Sequence, residues 1–259
     1  MRVIHLARSR AALFAAVVAL LAVTAAACGG GGNASGGGGS SSTGGLTIGG
    51  NAAHPPSVPA GSTLLATIHH RVQSYVNPRG VKGVIIPAAW HGAVSTLPVV
   101  TAQPGWLDVR LAQRPNESTA WIKIADATLT SSPYKILIDL ATERLFLFRS
   151  DKVVYAAPVG IGTSVDPTPT GHYFVAFLAE PPAPGYGPFV LVSSAHSDTI
   201  SDWESSGDAL MAIHGPLGSD AQIGTTGAQV SHGCVRLHAN DLAHLRVVPA
   251  GSPIVVVAS

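Results

Sequence analysis

The sequence predicts a mainly β protein with few helices, built as a sandwich or an open barrel. Three observations lead to this fold class. Short runs of alternating apolar residues, separated by Gly, Pro, Asn and Ser, recur from residue 63 to the C-terminus. Residues 134–162 hold three such runs in succession, and only residues 239–247 show a convincing helical periodicity. Many short strands with little helix are typical of sandwiches and barrels.

The strands of the C-terminal half can be assigned in chain order. Thr-Glu-Arg at 142–144 and Ser-Asp-Lys at 150–152 predict tight turns that divide residues 134–162 into three strands. The stretch PTPTG at 167–171 interrupts the pattern before another apolar run. Further strands are expected at Phe189–Ser193, Leu210–His214 and Ile254–Ala258.

One helix is expected at residues 239–247. Asn240 or Asp241 is the expected N-cap, because Asn and Asp side chains accept hydrogen bonds from the first free N–H groups of a helix. Pro249 lies just beyond the expected end. The apolar face consists of Leu242, Leu245 and Val248.

Residues 63–131 predict a small all-β module, with an SH3-like barrel as the expected form. Short strand-like runs alternate with Pro, Gly and Asn turns in this segment. Trp106 and Trp121 fit either core packing or a ligand groove, with core packing the commoner use of such a pair. Residues 131–133, Ser-Ser-Pro, form the expected boundary to a second domain at 132–259.

The first 27 residues have the layout of a secretory signal peptide. Three arginines precede an uncharged apolar run of about 16 residues, shorter than the ~20 that span a bilayer. Ala25-Ala26-Ala27-Cys28 resembles a bacterial lipobox, which implies lipidation of Cys28. The chain is then expected to be an exported membrane lipoprotein that faces the cell wall or periplasm. Plain cleavage after Ala27 and a retained transmembrane anchor remain as alternatives.

Residues 28–62 are expected to be a lipidated cysteine followed by a flexible tether. Gly and Ser dominate this segment, and it contains too few apolar residues to build a core. The net charge of the chain is +1, and no basic cluster stands out. The sequence therefore predicts no nucleic-acid partner.

Cysteine usage draws attention to residue 234. The chain has two cysteines, and Cys28 lies at the processing site, so Cys234 has no expected partner. An unpaired thiol outside the cell is open to oxidation and cross-linking. Cys234 is therefore expected to be either buried and inert or retained for its reactivity.

The stretch SHGC at 231–234 combines the groups that acyl transfer requires. If it is extended, His232 and Cys234 face the same side, and His214 ends an apolar strand, with 16 residues between His214 and Ser231. A neighbouring imidazole can take the proton of a thiol and can lower its pKa from about 8.5 by several units. Gly233 leaves nearby N–H groups unobstructed for an oxyanion.

Two other interpretations of these residues remain. The side chains of His214, His232, His238 and Cys234 could ligate zinc, although their spacing matches no standard zinc motif. Cys234 could also be a buried structural thiol beside a satisfied histidine. The glycine neighbours and the polar loop before Ser231 fit a core poorly.

The residues IHG followed after 15 residues by SHGCVRL resemble the signature of the L,D-transpeptidase (YkuD-type) catalytic domain. The stretches PVGIG, PTPTGHYFV and AGSPIVVV are also similar to strands of this family. The resemblance extends over roughly Tyr134 to Ala258. It implies a YkuD-like β-sandwich or open barrel in this part of the chain.

The resemblance also implies roles for individual residues. Cys234 is the expected nucleophile and His214 the general base, oriented by the backbone carbonyl of Gly215. His232 lines the site and tunes the thiolate. The main-chain amides of His232, Gly233 and Cys234 form the expected oxyanion hole, and Ser231 and Arg236 are expected to contact the donor peptide. A surface or sheet-edge arginine is an equally good interpretation of Arg236.

The implied reaction is a 3→3 cross-link between peptidoglycan stem peptides. Cys234 attacks a tetrapeptide stem, D-Ala leaves, and a side-chain amine of a neighbouring stem opens the thioester. No metal or organic cofactor is expected. Three alternatives remain: a carboxypeptidase with water as acceptor, another exported cysteine acyltransferase such as a sortase-like enzyme or thiol peptidase, and a non-catalytic wall-binding lipoprotein.

Overall fold

The computed structural model describes residues 54–225 and 227–258. The expected signal peptide at 1–27, the lipidation site Cys28 and most of the 28–62 tether lie outside these residues. The strands in chain order are β1 Thr63–Thr67, β2 Val72–Tyr75, β3 Lys82–Ile86, β4 Ala89–Trp90, β5 Ala93–Val94, β6 Thr96–Gln103, β7 Trp106–Arg110, β8 Thr119–Lys123, β9 Thr128–Ser132, β10 Tyr134–Asp139, β11 Arg144–Arg149, β12 Lys152–Pro158, β13 Ile161–Gly162, β14 Gly171–Ala179, β15 Val190–His196, β16 Leu210–His214, β17 Gln229–Ser231, β18 Val235–Arg236 and β19 Pro253–Val257. The helical segments are the α-helix α1 Ala239–Ala243 and the 3₁₀ turns Ile124–Asp126 and His244–Val247. The mainly β prediction is confirmed.

The first sheet comprises seven strands from residues 63–132. Its order is β3-β2-β8-β7-β6-β1-β9, and β1 pairs antiparallel with both β6 and β9. Apolar residues alternate along these strands, so one face of the sheet builds a core around Ile68, Leu107 and Ile122. Trp106 is buried and meets Tyr75 edge-to-face, with ring centroids 5.1 Å apart. Core packing therefore accounts for Trp106, while the SH3-like form stays a prediction.

The second sheet comprises eight strands in the order β12-β11-β10-β19-β14-β15-β16-β18. The three strands expected within residues 134–162 are confirmed as β10, β11 and β12. The strand expected at Phe189–Ser193 begins one residue later and extends to His196, and the strand expected at Leu210–His214 has those bounds. The last two strands of the order, β16 and β18, run parallel to each other and carry the candidate site.

The predicted helix is shorter than expected. The α-helix ends at Ala243, and His244–Val247 continue as a 3₁₀ turn. The N-cap is His238, without a side-chain cap, so the expectation of Asn240 or Asp241 was wrong. The carboxylate of Asp241 instead accepts a hydrogen bond of 2.6 Å from the hydroxyl of Tyr155. The expected apolar face is confirmed, because its three residues are buried.

The two sheets are in direct contact within one compact unit. Phe174 of β14 belongs to the second sheet, yet its side chain is buried in the core of the first. The buried hydroxyls of Ser132 and Ser252 lie 2.7 Å apart across the same boundary. Within the described residues, no helix combines the length and apolar character needed to cross a bilayer.

Candidate active site

Strand register brings His214 and Cys234 together. In the parallel pair β16/β18, Ile213 lies beside Val235 and His214 beside Arg236, so one step back along the register places Cys234 beside Ala212. Alternate residues share a face, so His214 and Cys234 are diagonal neighbours on one side of the sheet. Strand spacing and rise separate their Cα atoms by about 8 Å, a gap that an imidazole can bridge.

His214 is held in one orientation. Its side chain is buried, with a residue exposure of 3%, and its Nδ1 lies 2.8 Å from the carbonyl oxygen of Gly215. A carbonyl only accepts hydrogen bonds, so Nδ1 carries the proton and Nε2 is left as a proton acceptor. Burial lowers the pKa of His214 to about 4, with the positive charge of Arg236 acting in the same direction and the Gly215 carbonyl opposing it. His214 is therefore a neutral base at neutral pH.

Gly215 is enclosed by backbone. Its N–H donates to the carbonyl of Tyr186 at 2.6 Å, and a Cβ on Gly215 would lie 2.6 Å from the N atom of Gly187. Any side chain would therefore push the 185–187 loop away. The ring of Tyr186 lies over His214, with centroids 4.7 Å apart. This loop covers the base and excludes water from it.

The SHGC stretch forms a turn at the end of β17, not the extended segment that we expected. The hydroxyl of Ser231 donates to the carbonyl of Cys234 at 2.6 Å and accepts the N–H of Gly233 at 3.0 Å. Gly233 has a φ of +111°, and a Cβ there would lie 2.5 Å from Cε of Met211. Thr168 also donates to the carbonyl of Gly233 at 2.7 Å. The turn therefore depends on glycine at 233.

These contacts change two expectations. The Ser231 hydroxyl is engaged within the turn, so it positions Cys234 and has no proton left to donate to a substrate. The N–H of Gly233 is engaged by Ser231 in this conformation and does not face an oxyanion. The amides of His232 and Cys234 remain the predicted oxyanion donors.

Cys234 is unpaired, and it is partly buried against the core of the second sheet. Burial raises the pKa of the Cys234 thiol, while a backbone hydrogen bond from Ala212 and the charge of Arg236 oppose that effect. We expected a neighbouring imidazole to lower this pKa. The structure corrects the expectation, because burial destabilises the thiolate more than its neighbours stabilise it.

His232 lies on the exposed side of the site. Its side chain is 61% exposed, and its Nδ1 lies 2.7 Å from Oδ2 of Asp166. The other carboxylate oxygen of Asp166 accepts a hydrogen bond of 3.0 Å from Thr199. Hydrogen bonds from His232 and Thr199 hold the pKa of Asp166 below its usual range. The indole of Trp203 lies beside His232, with ring centroids 5.1 Å apart.

Arg236 is half-buried and lies next to His214 in the register. Its Nη1 donates to the hydroxyl of Ser219 at 2.8 Å. Its Nε is buried and has no hydrogen-bond partner among the described residues. An unpaired guanidinium N–H is costly to bury unless it serves a ligand, so this atom is a candidate donor to a bound substrate.

These side chains share one cleft with a volume of about 230 Å³. Its polar lining includes His214, Ser231, His232, Cys234 and Arg236, and its apolar lining includes Tyr186, Ile200, Trp203 and Met211. In the described part of the chain, no group of three or more His, Cys, Asp or Glu side chains is placed to hold a metal ion. The geometry thus offers a nucleophile, a base and donors in one place.

Sequence reasoning missed four residues of this site. Asp166 immediately precedes the PTPTG stretch and Thr168 lies within it, and neither residue was singled out from the sequence. Tyr186 and Trp203 lie in loops without periodicity. Only the fold brings these loops to the cleft, so the local sequence carries no signal of their roles.

Residues 133–256 match the family model of the L,D-transpeptidase catalytic domain, YkuD. This segment is thus similar to the catalytic domain of the YkuD family. Among curated proteins, the chain is 26% identical over 125 residues to a candidate L,D-transpeptidase of Bacillus subtilis, covering 48% of this chain and 66% of the relative. A candidate L,D-transpeptidase of Bacillus licheniformis is 30% identical over 123 residues, covering 47% of this chain and 64% of the relative. The chain thus spans just under two thirds of the length of either relative.

Solved structures include similar proteins. An L,D-transpeptidase from Mycobacterium smegmatis has a TM-score of 0.40 and 20% identity, covering 66% of this chain and 76% of the other. The catalytic domain of an E. faecium L,D-transpeptidase has a TM-score of 0.34 and 22% identity, covering 48% of this chain and 96% of the other.

Proposed function

We propose that this chain is an L,D-transpeptidase that joins peptidoglycan stem peptides by 3→3 cross-links, with Cys234 as its nucleophile. One observation carries the proposal. Cys234 and His214 line one cleft from neighbouring parallel strands, and the Nδ1 of His214 is occupied by Gly215, which leaves Nε2 as a proton acceptor. Similarity to the YkuD catalytic domain supports the same reaction class.

The first half-reaction forms a thioester. The sulfur of Cys234 attacks the carbonyl before the terminal D-Ala of a tetrapeptide stem, and its proton passes to Nε2 of His214. The thiol keeps its proton until attack, because burial raises its pKa. The resulting imidazolium is a strong acid, since burial lowers the pKa of His214 to about 4. It therefore protonates the departing D-Ala nitrogen readily as the C–N bond breaks.

The second half-reaction transfers the acyl group. A side-chain amine of another stem attacks the thioester carbonyl and gives up one N–H proton, the C–S bond breaks, and that proton returns to the thiolate of Cys234. Amide N–H groups of His232 and Cys234 stabilise the oxyanion in both steps, and such a donor is typically worth about 2.7–4 kcal/mol of transition-state stabilisation. The unpaired Nε of Arg236 would bind a donor-peptide oxygen.

Carboxypeptidase activity is the second candidate, because water could replace the amine. The exposed edge of the cleft at His232 favours this candidate, since it leaves the thioester open to solvent. A product that contains only tripeptide, with no dimer, would replace the transpeptidase assignment with this one.

We also propose that the chain is exported and anchored to the cell membrane through Cys28. The signal-like residues 1–27 and the Gly/Ser-rich tether support this placement. A flexible chain of about 34 residues has a root-mean-square span of roughly 30–35 Å, enough to separate the catalytic domain from the membrane surface.

Intact mass spectrometry of the full chain after incubation with a carbapenem tests the nucleophile. One adduct is expected on the wild-type protein and on Cys28→Ser, and none on Cys234→Ser. Tetrapeptide stems then test the reaction, with a cross-linked dimer and free D-Ala as the expected products. An adduct that survives in Cys234→Ser would reject Cys234 as the nucleophile, and an unreactive wild-type protein would favour the non-catalytic wall-binding alternative.

A further inference from the structure

The two histidines of the cleft share the same Nδ1 contact but differ in their surroundings. In each ring an oxygen that only accepts hydrogen bonds lies within 2.8 Å of Nδ1, the Gly215 carbonyl for His214 and the Asp166 carboxylate for His232. When the ring is neutral, this contact places its proton on Nδ1 and leaves the lone pair on Nε2. His214 is 3% exposed, whereas the side chain of His232 is 61% exposed. One base is enclosed, and the other meets solvent.

The second base has its own orienting group. Asp166 holds His232 through Oδ2 and is itself held by Thr199 through Oδ1, and its backbone N–H donates to Thr163 at 3.2 Å. A carboxylate fixed in this way orients an imidazole and stabilises the imidazolium that forms on proton uptake. Thr199 thus fixes the carboxylate of Asp166 and Thr163 its backbone, which is more support than the partner of a solvated surface histidine requires.

His232 also lies where a second substrate must enter. Cys234 and the enclosed His214 line the same cleft, so a donor acyl group on Cys234 would lie beside His214. An acceptor strand of the wall is a large polymer and can approach only from the solvent side, where His232 and Trp203 form the edge of the cleft. The acceptor amine therefore meets His232 before it meets His214.

We propose that His232 is the general base of the acceptor half-reaction, with Asp166 as its positioning residue. The amine nitrogen attacks the thioester carbonyl, and one of its protons passes to Nε2 of His232. The C–S bond then breaks, and the sulfur of Cys234 leaves with the bonding electrons. It regains a proton from the imidazolium of His232, which restores both groups. His214 serves the donor half-reaction.

This inference rests on the proposed function, and the two half-reactions can be measured separately on the full chain. Acylation is followed as the single-turnover release of D-Ala from a tetrapeptide stem. Aminolysis is followed as the loss of the acyl-enzyme mass after addition of a tripeptide stem with a free side-chain amine. In His232→Gln, acylation should stay within about threefold of wild type, and aminolysis should fall by about 10² or more, the usual range for general-base catalysis.

Asp166→Asn should slow aminolysis by a smaller factor, because its amide oxygen can still accept the Nδ1 proton but carries no charge. His238→Gln is the matched control. His238 has the same kind of contact, Nδ1 to Asp220 at 3.1 Å, but it does not line the cleft. Both half-reactions should be unchanged in this variant.

The outcomes separate the two proposals. If the wild-type protein forms no acyl-enzyme, the proposed function fails, and this inference fails with it. If the wild-type protein cross-links stems but His232→Gln slows both half-reactions equally, or leaves aminolysis intact, the function stands and the role of His232 is rejected. Circular dichroism of each variant separates these results from loss of folding.

Discussion

At the scale of single residues, the site is set by burial more than by charge pairing. The enclosed imidazole of His214 is a weak base, and the enclosed thiol of Cys234 is a weak acid. Both shifts favour the neutral forms, so the resting pair is a thiol and a free imidazole instead of an ion pair. In the proposed reaction, proton transfer would therefore accompany the attack on the substrate and would not precede it.

The pH dependence of acylation should reflect this state. We expect the acid limb of kcat/KM for D-Ala release near pH 4, because the pKa of His214 is lowered to about 4 and the ring remains a free base above that value. An ordinary histidine would place this limb near pH 6.5. The measurement is D-Ala release at subsaturating tetrapeptide between pH 4 and 8, with circular dichroism at each pH to confirm folding. A limb at pH 6–7 would show that His214 is accessible to solvent.

At the scale of elements, the reactive turn depends on the loop between β13 and β14. Thr168 donates to the carbonyl of Gly233 at 2.7 Å and accepts the N–H of Gly162 at 2.9 Å, and both hydrogen bonds are buried. This hydroxyl therefore connects the strand end at Gly162 to the turn that carries Cys234. The same loop supplies Asp166, so one segment supports both the nucleophile and His232.

Thr168→Val should test that support. Valine has nearly the same shape, but it leaves a buried carbonyl and a buried N–H unpaired, at a cost of about 1–3 kcal/mol for each group. Urea unfolding should show a corresponding loss in the free energy of unfolding, and acylation of Cys234 should slow. Thr170→Val is the matched control, because Thr170 is exposed in the same loop. Equal stability of the two variants would contradict the role of the Thr168 hydroxyl in joining Gly162 to the turn at Gly233.

At the scale of the whole molecule, the first sheet holds a cleft-lining loop of the second. Arg114 donates to the carboxylate of Asp208 at 3.1 Å and to the carbonyl of Ser197 at 3.0 Å. Asn116 donates to the carbonyl of His196 at 2.8 Å and accepts its N–H at 2.9 Å. These contacts hold both ends of loop 197–209, which carries Trp203 to the cleft.

Arg114→Ala should therefore loosen loop 197–209, which Arg114 contacts from the first sheet. We expect faster hydrogen exchange across residues 197–209 and a rise in KM for the tetrapeptide of about three- to tenfold, because the cleft wall must be ordered when substrate binds. Lys135→Ala removes an ion pair of 3.8 Å between exposed side chains and should change neither quantity. Identical behaviour of the two variants would reject a role for the first sheet in holding the loop.

Residues 63–132 are thus more than a spacer within the structure. Phe174 fills the core of the first sheet from the second, so removal of the module would expose it. A deletion of this segment would therefore also disturb the folding of the second sheet. Point variants such as Arg114→Ala address the role of the module without this complication.

The sequence by itself predicted the class of fold and the longer strands from Tyr134 onward, but not the short strands β13, β17 and β18. It also pointed to His214, His232 and Cys234 as the candidate residues for chemistry. These features follow from local periodicity and from a short motif, which neighbouring residues encode directly. The cap of the helix was not predictable, because Asp241 bonds to Tyr155, which is 86 residues away in the chain.

Only the tertiary structure decided three features of the site. These are the neutral forms of His214 and Cys234, the contact of His232 with Asp166, and the hydrogen bonds of the Ser231 hydroxyl within its own turn. Each of these depends on burial or on groups from distant loops, such as Asp166, 66 residues before His232. Periodicity reports which face of a strand is apolar, but it carries no information on which loops meet above that face. The physical reason is that pKa values and hydrogen-bond partners are set by three-dimensional surroundings, which assemble only when the strands pair.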